Sequence, residues 1–131
     1  MPHAVISGEI DLAEFARRWT PLVLRRGGDV LRADQVYLES GGRALLVDAL
    51  AIEAGRKQPF YVKIARHDRG SATVRIDPMT HPERSEGVRA LVTEIAARLL
   101  AATPGAKVQA TNLELPGGVV PSSGREEGEV S

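Results

Sequence analysis

The pair Gly41-Gly42 in "QVYLESGGRALLVDALAI" constrains this chain more than any other feature. The Ala and Leu content of residues 43–54 would suit a helix as readily as a strand. The glycines decide for strands, because a two-residue turn with positive φ joins tightly paired antiparallel strands, and glycine adopts it without strain. Folding the chain about them sets Ser40 opposite Arg43, Leu38 opposite Leu45, Val36 opposite Val47 and Tyr37 opposite Leu46. Apolar meets apolar, so the register is self-consistent.

A second hairpin is predicted in "FYVKIARHDRGSATVRID". A three-residue loop, Asp68-Arg69-Gly70, places Gly70 at the left-handed position such loops require. It sets Ile64 against Val74 and Val62 against Ile76 on one face, whereas a four-residue loop would mix the faces. Joining the two hairpins through residues 54–57 then puts Val47 opposite Ile64, Ala49 opposite Val62 and Ala51 opposite Phe60. The expectation is a four-stranded antiparallel meander over about 34–40, 43–53, 58–67 and 71–77.

Helices flank this meander. In "DLAEFARRWTPLVLRRGG", Asp11 stands as an N-cap with Glu14 at capping-box spacing, and Leu12, Phe15, Ala16 and Trp19 form one apolar face. Pro21 ends or kinks that helix, and Thr20 is placed to cap a second short turn closing at Gly27. A long C-terminal helix is predicted from Thr80, with Glu83 completing its capping box and Pro104-Gly105 ending it. Its stripe is Val88, Leu91, Val92, Ile95, Leu99 and Ala102, and Gly87 weakens its start by about 1 kcal/mol. "KVQATNLEL" is a candidate extra strand, and residues 116–131, rich in Gly, Pro, Ser and Glu, read as a flexible tail. The fold class is therefore α+β in a single domain over 1–115, with both helices on one face of the sheet. The small residues Ala49, Ala51 and Ala72 on that face let a helix lie close. This layout is similar to that of several unrelated small folds, double-stranded-RNA-binding domains and secretion chaperones among them. No motif ties the chain to either, and "HPERSEG" stands where the RNA-binding domains carry a basic cluster.

With 17 basic and 17 acidic residues the chain is formally neutral, which argues against a surface that is a polyanion trap throughout. The absence of cysteine excludes disulfides and thiolate chemistry. No apolar run reaches membrane-spanning length and "MPHAVISGEIDL" lacks the pattern of a signal peptide, so a soluble cytoplasmic protein with no membrane partner is expected.

Function is sought on the sheet face turned away from the helices. The expected registers give a cross-strand row of Gln35, Asp48, Lys63 and Arg75. Beside it lie Leu50, Tyr61 and Asp77 on one side, and Tyr37, Leu46, Ala65 and Thr73 on the other. Tyr37, Leu46, Leu50, Ile52 and Tyr61 are more apolar surface than a small monomer leaves wet. Either the 107–115 segment or the first helix covers them, or a second copy does, which makes a homodimeric binding or assembly domain the leading reading. The alternative is a nucleic-acid-binding module built on residues 56–75, which hold Arg56, Lys57, Lys63, Arg66, Arg69 and Arg75 against Asp68 alone. In it Lys63, Arg66, Arg69 and Arg75 take phosphates while Tyr61 and Tyr37 stack on bases.

No catalytic constellation emerges. His67 and Asp68 belong to a hairpin tip while Asp77 and His81 follow the far end of the next strand, too distant for one metal ion. Ser40, Ser71 and Ser85 sit where serine serves turns and caps, and His3 belongs to an N-terminus expected to fray. No glycine-rich phosphate loop is present. The expectation is a non-enzymatic domain with no metal and no cofactor.

Overall fold

The computed structural model describes residues 1–67 and 70–115, and the tail expected over 116–131 lies outside them. Its elements are β1 (His3–Ser7), α1 (Leu12–Arg18), β2 (Leu22–Arg26), β3 (Asp29–Leu38), β4 (Ala44–Glu53), β5 (Arg56–His67), β6 (Ser71–Ile76), α2 (Glu86–Ala102) and β7 (Lys107–Thr111). All seven strands join one antiparallel sheet in the order β2-β3-β4-β5-β6-β1-β7. The expected meander is thus its centre, β3 to β6, and "KVQATNLEL" supplies β7.

Two further strands, β1 and β2, extend the sheet beyond the expected elements. Beyond Pro21 the chain does not turn helically but extends as β2, which pairs with β3 through the Gly27-Gly28 turn, Arg26 opposite Asp29. Gly27 has φ +59°, the positive value a tight hairpin demands of its first central residue. The N-terminus does not fray either. His3 opens β1, which inserts between β6 and β7, and its backbone N–H donates to Asn112 Oδ1 at 3.0 Å.

The expected registers hold in two hairpins and slip in one. Leu38, Tyr37 and Val36 face Leu45, Leu46 and Val47. That loop is wider than a two-residue turn: Gly42 N–H donates to Glu39 O, and of the two glycines Gly42 alone has positive φ. In the second hairpin Ile64 and Val62 face Val74 and Ile76, and Gly70 is left-handed at φ +70°. Between β4 and β5, however, the turn is Ala54-Gly55 and Glu53 faces Arg56. Val47 therefore faces Val62, Ala49 faces Phe60 and Ala51 faces Gln58, a slip of two residues from expectation. Because side chains alternate with period two, each residue keeps its face and only its neighbours change.

Both helices lie on one face. Leu31, Ala33, Leu45, Val47, Ala49, Phe60, Val62, Ile64, Val74 and Ile76 from the sheet meet Leu12 and Phe15 of α1 and Val88, Leu91, Val92, Ile95 and Leu99 of α2. Ala49, Ala51 and Ala72 are fully buried, the small residues that let the helices lie close. Ala102 falls off the stripe and is exposed. The residues after β7 return to this core, with Leu113 and Leu115 buried. Asp11 caps α1 by accepting from Glu14 N–H, but Glu14 does not reciprocate and binds Arg17 and Arg18 instead.

Helix α2 starts later than its sequence pattern suggests. Ser85 is its N-cap, accepting from Val88 N–H at 3.1 Å, while Thr80 closes a turn on Asp77 O and Glu83 pairs with Arg56. Glu53, at the end of β4, completes the cap: Ser85 Oγ donates to one carboxylate oxygen and Gly87 N–H to the other at 2.9 Å. This ties the sheet to the first turn of the helix, where free N–H groups and the helix dipole favour an anion.

Candidate functional site on the outer sheet face

Alternation along β3 to β6 presents a second set of side chains on the face opposite the helices. Their cross-strand neighbours follow from the observed registers. One row reads Tyr37, Leu46, Lys63, Arg75 and His3. The next holds Asp48 opposite Tyr61, with Asp77 N–H donating to Tyr61 O at 2.8 Å. Beyond it come Val23, Arg32, Leu50 and Pro59, and then Arg25, Val30, Ile52 and Lys57. On the other side of the Lys63 row lie Ala44, Ala65, Thr73 and Val5. Rows are about 7 Å apart along the strands.

The predicted apolar residues stay on this face but are rearranged. Tyr37 faces Leu46 directly, and Tyr61 lies diagonally between Leu46 and Leu50, while Ile52 continues the patch toward Val30. Tyr37 is 52% exposed and Leu46, Leu50, Ile52 and Tyr61 are partly exposed. Val23, half exposed at 50%, extends the patch across β2, a residue invisible to the sequence reading because β2 itself was not foreseen. A shallow depression of about 340 Å³ lies at one end of the patch, lined by Tyr37, Leu38, Ala44, Leu46, Lys63 and Asp77. Neither the 107–115 segment nor α1 covers the face: the first extends the sheet edge and packs Leu113 on the helix side, and the second lies against the inner face of β3 and β4.

The predicted basic set disperses. Lys63 and Arg75 do stand directly opposite one another. Arg66 faces the buried Ala72 and so alternates to the helix side, where it lines a depression with Gly8 and Asp11. Arg56 is engaged by Glu83 in a bidentate pair with both contacts at 2.8 Å. That pair holds the Glu83 carboxyl below the usual carboxylate range and raises the Arg56 guanidinium. Arg69 lies outside the described residues.

The slip between β4 and β5 also alters the charge pattern. Asp48 does not stand opposite Lys63, as the expected register had it, but opposite Tyr61. Lys63 and Arg75 thus form a basic row beside an acidic one of Asp48 and Asp77. Among the described residues none of the four makes an ion pair within the chain. Lys63, Asp48 and Asp77 are partly buried among the apolar residues, whereas Arg75 is exposed.

Elsewhere, a wider groove of about 600 Å³ runs between β2 and α2, with Arg26 and Arg89 and with Glu86, Glu94 and Glu114 lining it beside Leu24 and Ala90. Its mixed charge and lack of a buried polar focus give it no evident ligand chemistry. Among the described residues no three His, Asp or Glu side chains gather to hold a metal ion, and no helix is long and apolar enough to cross a membrane. Comparison with known protein families, with curated proteins and with solved structures finds no match for this chain.

Proposed function

We propose that this chain is a non-catalytic assembly domain that forms a homodimer by stacking the outer face of its sheet on that of a second copy. The observation that carries this reading is the one-sidedness of the fold. Both helices pack on the inner face, and none of the described residues packs on the face that carries Tyr37, Leu46, Leu50, Ile52 and Tyr61. A patch four strands wide and roughly eight residues long spans about 20 by 26 Å. With side-chain relief, that approaches the ~800 Å² per partner of a standard stable interface. Light scattering over a concentration series tests the reading: a dimer is expected, and Leu50→Asp is expected to be monomeric and folded. A wild-type protein that stays monomeric at every concentration removes the proposal.

A second reading, nucleic-acid binding, draws support from Lys63 opposite Arg75 with Tyr61 two residues from Lys63 on the same strand and diagonal to Arg75. It is the weaker of the two, because Asp48 and Asp77 border the same cations and Arg66 faces the other way. Fluorescence anisotropy with a single-stranded oligonucleotide at low salt, comparing wild type with Lys63→Glu/Arg75→Glu, tests it.

A further inference from the structure

We infer that the partner for the outer face is specified by its charges, and that it is a second copy placed by a two-fold axis running across the strands between the basic row and the acidic row. This rests on the homodimer reading and adds its geometry. Lys63 and Asp48 stand among Leu46, Leu50 and Tyr61, so any partner that covers the apolar residues also removes these charges from water. Unpaired charges in such a place are strongly unfavourable. A purely apolar partner leaves both signs unpaired. A polyanion satisfies Lys63 and Arg75 but drives phosphate onto Asp48 and Asp77.

A copy of the same face resolves both. An axis across the strands, midway between the two rows, lays each strand antiparallel on its own counterpart and exchanges the rows. Arg75 then meets Asp77 of the second copy, and Lys63 meets Tyr61 flanked by the carboxylates of Asp48 and Asp77. The same operation sets the next rows against each other, large on small: Leu50 over Ala44 and Pro59 over Ala65. Arg25 and Lys57, two rows beyond the acidic row and exposed, fall at the rim in solvent, with Ile52 of the same row at the edge of the covered area. A two-fold axis along β5, the central strand of these rows, would instead keep each row on itself and face Asp48 with Asp77 and Lys63 with Lys63. The charge pattern selects the first arrangement.

Arg75→Asp and Asp77→Arg test this, each measured alone and in an equimolar mixture by light scattering, with circular dichroism reporting the fold. Alone, each variant opposes like charges twice across the axis and is expected to self-associate about tenfold more weakly than wild type, or worse. Mixed, each supplies the charge the other lacks, and association is expected to return to near the wild-type strength. If a single exchange does not fold, Arg75→Asp/Asp77→Arg in one chain restores the complement and is expected to dimerise. If wild type is dimeric and Leu50→Asp is not, but the charge variants associate as wild type or fail to recover on mixing, the axis is wrong and the homodimer stands. Wild type that never dimerises overturns both.

Discussion

Gly87 runs against the ordinary rule for glycine in helices. Within an exposed helix, Gly→Ala is worth about 1 kcal/mol of added stability. Here a Cβ would lie 2.6 Å from the Glu53 carboxylate and 2.7 Å from Leu31 Cδ2, closer than real contacts allow. Glu53 cannot retreat without giving up Gly87 N–H and Ser85 Oγ together. Gly87→Ala is therefore expected to destabilise the protein by about 1–3 kcal/mol in urea denaturation, the range for forced overpacking. A midpoint equal to or above wild type contradicts the capping role given to Glu53. A second residue-scale expectation concerns Arg56 and Glu83. The folded-state value of the Glu83 carboxyl is depressed, chiefly by its hydrogen bonds from Arg56. The pair therefore adds stability above the unfolded-state carboxylate value and loses it as pH falls through the folded value. Both side chains are exposed, so the effect is small. Glu83→Gln is expected to sit slightly below wild type in denaturant midpoint at neutral pH, with the gap closing as the pH falls through the depressed folded-state value of Glu83. A gap that widens in acid would have the wrong sign.

At the scale of elements, the β4–β5 turn governs the outer face. Ala54 and Gly55 have φ of +53° and +76°, the doubly left-handed form that suits Asn-Gly. An alanine held there costs about 1 kcal/mol, so Ala54→Asn is expected to raise stability by roughly 0.5–1 kcal/mol on thermal or urea unfolding. An unchanged or lower midpoint would mean that this turn is not strained. The same alanine hides the turn's position in the sequence. Gly42 and Gly70 announce their hairpins because only glycine serves so freely there, whereas an alanine at position 54 carries no such signal, and the sequence alone suggests a longer loop over residues 54–57. Faces survive that slip because alternation fixes them, but the expected loop sets Asp48 opposite Lys63, whereas its cross-strand neighbour is Tyr61. Gly27-Gly28 carried a legible hairpin signal too, masked by reading Pro21 as the end of one helical turn and the start of another. Nothing local announces β1, whose partners β6 and β7 lie far along the chain and were reachable only through tertiary pairing. The late start of α2 was hidden in the same way: Thr80 and Glu83 have capping-box spacing, but Arg56 and the Asp77 carbonyl hold them elsewhere.

For the whole molecule, the two functional readings compete for one face and differ in how they respond to salt. Each phosphate neutralised on a single strand contributes about −0.7 to the slope of log K against log salt. On the outer face Lys63 and Arg75 form the central pair of cations, while Arg25 and Lys57 stand near its far end, about 20 Å away across the Asp48 row. Arg32 there is already bonded to Asp34 at 3.2 Å. A strand lying along the Lys63 row alone thus neutralises at most two phosphates, for a slope near −1.4, and one crossing the acidic row to reach all four would approach −2.8 while bringing phosphate against Asp48 and Asp77. Oligonucleotide binding to wild type is accordingly expected to be weak, with a slope no steeper than about −1.4, and adding the oligonucleotide is expected to leave the dimer intact by light scattering. A slope of about −4, or dimers that separate into monomers as oligonucleotide is added, would instead require Arg66 and the remaining hairpin cations to reach the same ligand. That outcome would reverse the order of the two readings, because the same cations cannot pair with the carboxylates of a second copy and with a phosphate backbone at once.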